Sequence, residues 1–298
     1  MAVVVKKKAG VVVAKKAVAV VSKPKLELTL PTEANVPSDN LSDYSILLYG
    51  VKKGGKTSLA ARFPNAFIMA LEPGTKSLRV RYRDVPDWDH FVGYIDLLEK
   101  NHKGIDTVIV DTVDLAYEYI YKKTCTRLMI GSPTEENDFG ATWDFIKSSF
   151  REQINRLLRM GVGVILISHD TEKEIELRDG SKIDRVQPTM SKQALSVVEA
   201  LVDIIANYSF DGEDRILRLD GTQSLVAGCR LEEHFIRKGG KPNTAGDRIL
   251  SIPMGRTSKE AFENFLAAFN NEQELTTAKP EEEPEAPVVV KKKLVLKQ

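Results

Sequence analysis

The chain has 298 residues, 42% of them hydrophobic and 29% charged. That composition excludes a fibrous or wholly disordered protein and fits one large domain or two small ones. Forty-three Lys and Arg stand against 42 Asp and Glu, a formal charge of +1. The sum hides an uneven distribution: residues 1–29 hold seven Lys and one Glu, a surplus of six positive charges, and the rest of the chain stands at −5. Near-neutrality therefore does not exclude a nucleic-acid partner.

Residues 1–40 are written in Val, Ala and Lys, then Pro, Ser and Asn. They read as a disordered basic arm. Lysines cut every apolar run before a signal-peptide core or a span of ~18 residues can form, so no targeting or membrane segment is read. The string VVVKKK occurs at Val3–Lys8 and again at Val288–Lys293. The second copy lies in 271–298, which reads as a disordered charged tail. Such ends could serve as electrostatic arms for nucleic acid or a neighbouring subunit, or add a strand to another chain's sheet edge.

The body, 41–270, alternates short apolar runs with helical spacing. Strands are expected at Ser45–Tyr49, Ala66–Leu71, Thr107–Val110 and Val162–Ile167. Helices are expected at Thr57–Phe63, Trp88–Lys100, Asp114–Ile130 and Trp143–Met160. Continuous apolar strands alternating with helices mean a mostly parallel central sheet, covered by helices on both faces. After His169 the texture changes to a hairpin about Asp179-Gly180, a helix at Lys192–Leu201, strands at Asp203–Tyr208 and Arg215–Asp220, and a closing helix at Ser258–Asn270. The fold class is thus α/β with strand and hairpin additions towards the C-terminus. Gly239–Asn243 reads as a mobile loop.

Only Cys125 and Cys229 occur. Without paired CxxC or HxxxH spacing they make no zinc site. With no export signal they read as reduced thiols, which points to the cytoplasm.

The strongest chemical signal is Gly50-Val51-Lys52-Lys53-Gly54-Gly55-Lys56-Thr57, followed by Ser58. It fits G-x-x-x-x-G-K-[ST], between an expected strand and an expected helix. The glycines free backbone N–H groups to wrap phosphates. Lys56 is expected to reach the β and γ phosphates of ATP, and the Thr57 hydroxyl to hold Mg²⁺. Asp111 ends the strand TVIV and is the second expected Mg²⁺ residue; Asp114 could instead cap the next helix. Glu72, after the strand AFIMAL, could orient or deprotonate the attacking water, or be a loop carboxylate beside Pro73-Gly74. His169, after VGVILI and Ser168, could touch the γ-phosphate and report its state to the following segment, or simply end a strand. His90, His102 and His234 read as surface or packing residues.

These features, in this order, resemble the RecA-like P-loop ATPase core over about residues 43–236. In that family the catalytic Glu ends the strand after the phosphate-loop helix, as Ile68–Glu72 does. A polar sensor residue ends the strand after the magnesium Asp, as Leu166–His169 does. In AAA-type ATPases the Glu usually follows that Asp directly; here the neighbour is Thr112. More narrowly, the chain looks like the phage-encoded P-loop proteins related to Sak-type single-strand annealing and recombination ATPases, whose E-x-G turn matches Glu72-Pro73-Gly74. The resemblance implies a homo-oligomer with ATP at subunit interfaces and loops after the sensor strand that bind single-stranded DNA. It also implies a basic finger reaching in from a neighbour and, for a phage protein, the host cytoplasm. Arg230 stands where relatives carry Lys-x-Arg, with Gly228 in the Lys position.

The segment expected to meet DNA, Thr171–Gln187, holds Lys173, Arg178, Lys182 and Arg185 against five acids, with no aromatic residue to stack a base. Three functions follow. The first is a Mg²⁺-dependent ATPase acting on single-stranded DNA in recombination, annealing or replication, with a single-strand DNA-binding protein as one possible partner. The second is an ATP-gated partner-binding module with slow turnover. The third is a P-loop kinase with Arg79, Arg81 and Arg83 as a lid. The guanine-reading N/T-K-x-D tetrad of a GTPase is absent from the sequence.

Overall fold

The computed structural model describes residues 30–244 and 246–273. The basic arm before residue 30 and the tail after 273, with both VVVKKK strings, lie outside them. Residues 30–36 are exposed and lack regular structure.

The folded body begins with a short turn at Leu41–Asp43 and runs β1 Ser45–Gly50, α1 Lys56–Ala60, β2 Ala66–Ala70, β3 Arg81–Asp84, α2 Trp88–Lys100, β4 Thr107–Asp111 and α3 Val113–Leu128. It continues with α4 Ala141–Leu158, β5 Gly163–Glu176, β6 Lys182–Pro188, α5 Lys192–Leu201, β7 Ile204–Asp211, β8 Asp214–Arg218, β9 Gly228–Cys229, β10 Ser251–Pro253 and α6 Ser258–Phe269. Three of the six α-helices among the described residues start on a side-chain cap that satisfies an end-turn N–H. Asp87 accepts from His90, Ser191 from Ala194, and Thr257 closes a capping box with Glu260.

The sheet order is β10-β8-β7-β1-β5-β4-β2-β3. The six strands from β7 to β3 are mutually parallel. β8 and β10 extend the β7 edge antiparallel. Every position of β1 and β4 is buried, which is why both read as unbroken apolar runs. Alternate residues serve two cores. Ile46, Leu48, Ile68, Ile109 and Ile165 face Leu59 and Phe63 near α1 and Phe265 and Phe269 of α6. Leu47, Met69, Val108, Val110 and Leu166 face α2 to α5 through residues such as Phe91, Ile120, Phe150 and Val198. Each large apolar side chain buried this way contributes roughly 1.5–3 kcal/mol. Helices cover both faces, as the alternating sequence implies.

Three elements differ from the sequence expectation. α1 is α-helical only to Ala60, because Pro64 disfavours helical backbone at Phe63 and cannot itself continue the ladder. β5 does not stop at Ile167 but runs through His169 into the hairpin, since β6 pairs with it from Asp170 to Glu176. β3, Arg81–Asp84, which the sequence expectations assign to no element, is an edge strand that half-buries only Tyr82. The Gly239–Asn243 stretch is tied down: the Lys241 N–H donates to Asp247 Oδ2 and the Asn243 amide to Glu232.

The topology decides where the chemistry gathers. β5 lies between β1 and β4, so Gly50 is level with His169, and Asp111 with Ile167. Ala70 is level with Asp111, which sets the segment after β2 beside the end of β4. The carboxyl ends of four strands therefore meet at one edge, where open parallel sheets bind ligands.

Candidate active site

The loop between β1 and α1 is built for close backbone approach. At Gly50 (φ +151°) a Cβ would lie 1.9 Å from the Tyr208 carbonyl oxygen on β7. At Gly55 the backbone turns left-handed, φ +105°, and Lys53 shares that region at φ +60°. Left-handed residues set between right-handed ones point successive N–H groups into one concavity, which suits an anion. Gly50→Ala should cost about 2–4 kcal/mol, from the clash with Tyr208 and the strained φ together. Urea unfolding measures it, and an unchanged midpoint would show that β7 does not crowd the loop.

Lys56 lies across the cradle, only 4% exposed. Its Nζ donates to the Gly50 carbonyl at 2.7 Å and the Val51 carbonyl at 2.9 Å, and sits 3.4 Å from His169 Nδ1. Burial pushes the ammonium pKa down, while Asp170, Asp111, Glu72 and Asp114 push it back up. The Thr57 hydroxyl donates to Asp111 Oδ2 at 2.8 Å. Burial raises the Asp111 carboxyl, partly offset by that bond, with the Glu72 charge adding to the rise.

Glu72 is held from two sides. The Thr112 hydroxyl donates to its Oε1 at 2.9 Å, and His169 Nε2 stands 3.3 Å from its Oε2. The N–H groups of Leu71 and Glu72 both donate to the Asp111 carbonyl, fixing the turn after β2 against the end of β4. The Asp111–Thr112 peptide bond is cis. Thr112, fully buried, caps α3 by backbone only; Asp114 lies inside the first turn and does not act as the cap. A chain of contacts therefore runs Lys56–His169–Glu72–Thr112 beside the Thr57–Asp111 pair.

Lys56, Thr57, Asp111, Glu72 and His169, but not the buried Thr112, line a cavity of about 500 Å³ with Lys52, Lys53, Gly54, Gly55 and Ser58 of the loop and Pro73 and Gly74 after β2. The donor set fits Mg²⁺ and ATP. Among the described residues no group of three or more His, Cys, Asp or Glu forms a metal cage. Mg²⁺ does not need one, because it retains waters and binds through one or two protein oxygens plus phosphates. Thr57 and Asp111 would hold it, and when bound it would neutralise phosphate charge.

Of the residues expected at the site, Gly50 and Val51 hold Lys56 through their carbonyls, and Lys52 to Ser58, Glu72, Asp111 and His169 line the cavity. Arg230 is not brought there: its guanidinium donates to the Glu199 and Ala200 carbonyls at the C-terminal end of α5. Three residues went unnoticed in the sequence. Asp170 is the first charge to act on Lys56, and it follows the expected sensor directly. Tyr208 carries a carbonyl against Gly50 and a ring against Gly55. Thr189, the first residue after β6, donates its hydroxyl to Asp114 Oδ1 at 2.6 Å. His234 is a packing residue, stacked 4.0 Å from Phe269.

The hairpin after His169 sorts its charges by face. Register pairs Lys173 with Arg185 and Ile175 with Ile183, so these share one side with Leu177. Glu172, Glu174, Glu176 and Asp184 fall on the other, with Lys182 bonded to Glu174 at 2.6 Å. Five acids outnumber four bases in the segment, yet the two strands present one face that is basic and apolar.

Residues 42–231, which hold every group named above except the end of the body, match the family described as AAA domain (AAA_24). The chain belongs to this AAA domain family. Its P-loop ATPase domain spans the site from the turn before β1 to the segment after β9. A relative, the SPbeta prophage-derived uncharacterized protein YorG of Bacillus subtilis (strain 168), is 26% identical over 210 residues. That alignment covers 69% of this chain and 62% of YorG, so the AAA domain chain matches less than two thirds of the relative's length. A solved structure, a KaiC-like protein, PH0186, from Pyrococcus horikoshii OT3, aligns with 72% of this chain and 87% of its own, at 14% identity and a TM-score of 0.40. Among the described residues of this AAA domain protein no helix is long and apolar enough to cross a membrane.

Proposed function

We propose that the chain is a Mg²⁺-dependent ATPase that works on single-stranded DNA as a homo-oligomer, in recombination, annealing or replication of the Sak type. The observation that carries the ATPase half is the Lys56–His169–Glu72–Thr112 chain beside the Thr57–Asp111 pair. Water attacks the γ-phosphorus, the bond to the β–γ bridging oxygen breaks, and ADP leaves. Glu72 takes the water proton, since its carboxylate is oriented by Thr112 and faces the cradle. Lys56 and the loop N–H groups stabilise the charge on the phosphates.

The DNA half is supported by the basic, apolar hairpin face, which an oligomer would repeat along a strand, and by the prophage origin of the relative. Two bases per subunit track a backbone weakly, so each repeat must add to its neighbours. Arg230 as a finger acting on a neighbour's ATP belongs to the same reading. The module reading has one observation of its own: the acidic hairpin face repels nucleic acid and suits a protein partner. The kinase reading keeps only Arg79 as a lid residue, exposed and next to Leu78 at the cavity. Arg81 donates to the Asn65 and Gly104 carbonyls, at the sheet edge opposite the cradle, and Arg83 bonds the Tyr82 carbonyl beside it.

ATP hydrolysis measured with and without single-stranded DNA tests the proposal. DNA should raise turnover, and Lys173→Ala with Arg185→Ala should lower the salt slope of DNA binding by about 1.4 per subunit. Slow turnover that DNA does not change would favour the module reading; phosphate transfer to a nucleotide acceptor would sink both.

A further inference from the structure

We propose that Asp114 is a positioning residue, a latch that holds the His169 segment of β5 and the connector after β6 to the first turn of α3. This rests on the reading of the cradle as an ATP site.

Asp114 is three residues beyond Asp111, on the helix that starts beside the cavity, yet its carboxylate does not line it. Its Oδ1 accepts the Thr189 hydroxyl at 2.6 Å and the Ser168 hydroxyl at 3.0 Å. Ser168 is fully buried and precedes His169; Thr189 is the first residue after β6. The Thr189 N–H also donates to the His169 carbonyl at 2.9 Å. A closed ring results: α3, β5 beside the cavity, and the end of the hairpin are joined through one oxygen atom. Charge-assisted bonds of this kind are shorter and about twice as strong as neutral ones.

The ring matters because of what His169 touches. One ring nitrogen faces Lys56 and the other Glu72. Any movement of these side chains on nucleotide binding is passed by His169 along a continuous strand into the hairpin. Without a fixed root the same movement would be taken up by the connector. Asp114 supplies that root. Burial pushes its carboxyl pKa up against the two hydroxyl donors, and its Oδ2 is buried without a partner among the described residues. A buried carboxylate kept with one oxygen unsatisfied is costly where packing alone would serve. The helix N-terminus offsets part of that cost.

The test is hydrogen exchange of residues 172–187 with and without Mg²⁺ and a non-hydrolysable ATP analogue, beside analogue affinity and steady-state hydrolysis. In the wild-type chain the analogue should slow hairpin exchange about threefold or more. Asp114→Ala should bind the analogue within about twofold of wild type, lose the hairpin response, and show kcat about tenfold lower with KM nearly unchanged. Asp114→Asn keeps an acceptor oxygen for both hydroxyls and should restore the response. If Asp114→Ala does not fold, Thr189→Val, at an exposed position, should uncouple the hairpin while sparing affinity. The latch is overturned if the bound analogue leaves wild-type hairpin exchange unchanged, if Asp114→Ala or Thr189→Val keeps the response, or if Asp114→Asn is as defective as alanine. A wild-type chain that does not bind the analogue overturns the ATP reading instead, and the latch with it.

Discussion

Lys56→Ala should weaken ATP binding by roughly 30-fold to 5,000-fold, corresponding to the ~2–5 kcal/mol lost when one partner of a buried charge pair is truncated. The ammonium donates to the Gly50 and Val51 carbonyls. Those bonds hold it in the cradle, so little ordering remains when phosphate arrives. The fold should survive the change. Burial already penalises the ammonium, and its removal ends that desolvation cost as well as two hydrogen bonds. Isothermal titration with Mg²⁺ and ATP gives the affinity, and thermal unfolding gives the control. Wild-type affinity in a folded variant would remove Lys56 from the phosphate site.

How much of this could be read without a structure depends on distance along the chain. The phosphate loop is local, so its strand, glycines and helix start were legible in eight residues. Asp111 and Glu72 were legible because a strand end in a parallel sheet is a site edge whatever the partners are. The alternation of the hairpin was present too. Writing the two strands about Asp179-Gly180 separates Lys173 and Arg185 from Glu172 and Glu174, although a simple count of charges conceals it. The 54-residue gap between Thr57 and Asp111 could be guessed from motif order, but not their 2.8 Å bond. Nothing in the sequence placed β5 between β1 and β4, and that insertion alone brings His169 between Lys56 and Glu72. Thr189 lies 75 residues from Asp114 and carries no local signal. Arg230 was placed by resemblance; in the structure it is occupied at the end of α5.

Thr112 gives the family assignment its physical content. The usual AAA arrangement puts the catalytic carboxylate next to the magnesium Asp, on the same strand end. Here that position holds the Thr112 hydroxyl, and the carboxylate proposed as base, Glu72, follows the neighbouring strand β2, whose last residue Ala70 is level with Asp111. The hydroxyl donates to Glu72, so the two positions are joined by a hydrogen bond. A donor at 2.9 Å fixes the rotamer of Glu72, leaving Oε2 toward His169 and the cavity.

Glu72→Gln follows from that arrangement and should separate binding from turnover. Gln has the same shape and keeps an oxygen for the Thr112 hydroxyl, so the turn after β2 should stay in place. It removes one negative charge from a pocket that also holds Asp111, so affinity for Mg²⁺ and ATP should be equal or slightly tighter. It cannot take a proton, and loss of a general base costs roughly 10²–10⁴ in rate. The expected result is therefore wild-type affinity with hydrolysis reduced by at least about a hundredfold. Single-turnover measurement with enzyme in excess shows whether the loss lies in the chemical step or in product release. If Glu72→Gln hydrolyses ATP at the wild-type rate, the proton goes elsewhere. Asp170, the carboxylate that acts most strongly on Lys56, is then the group to replace next.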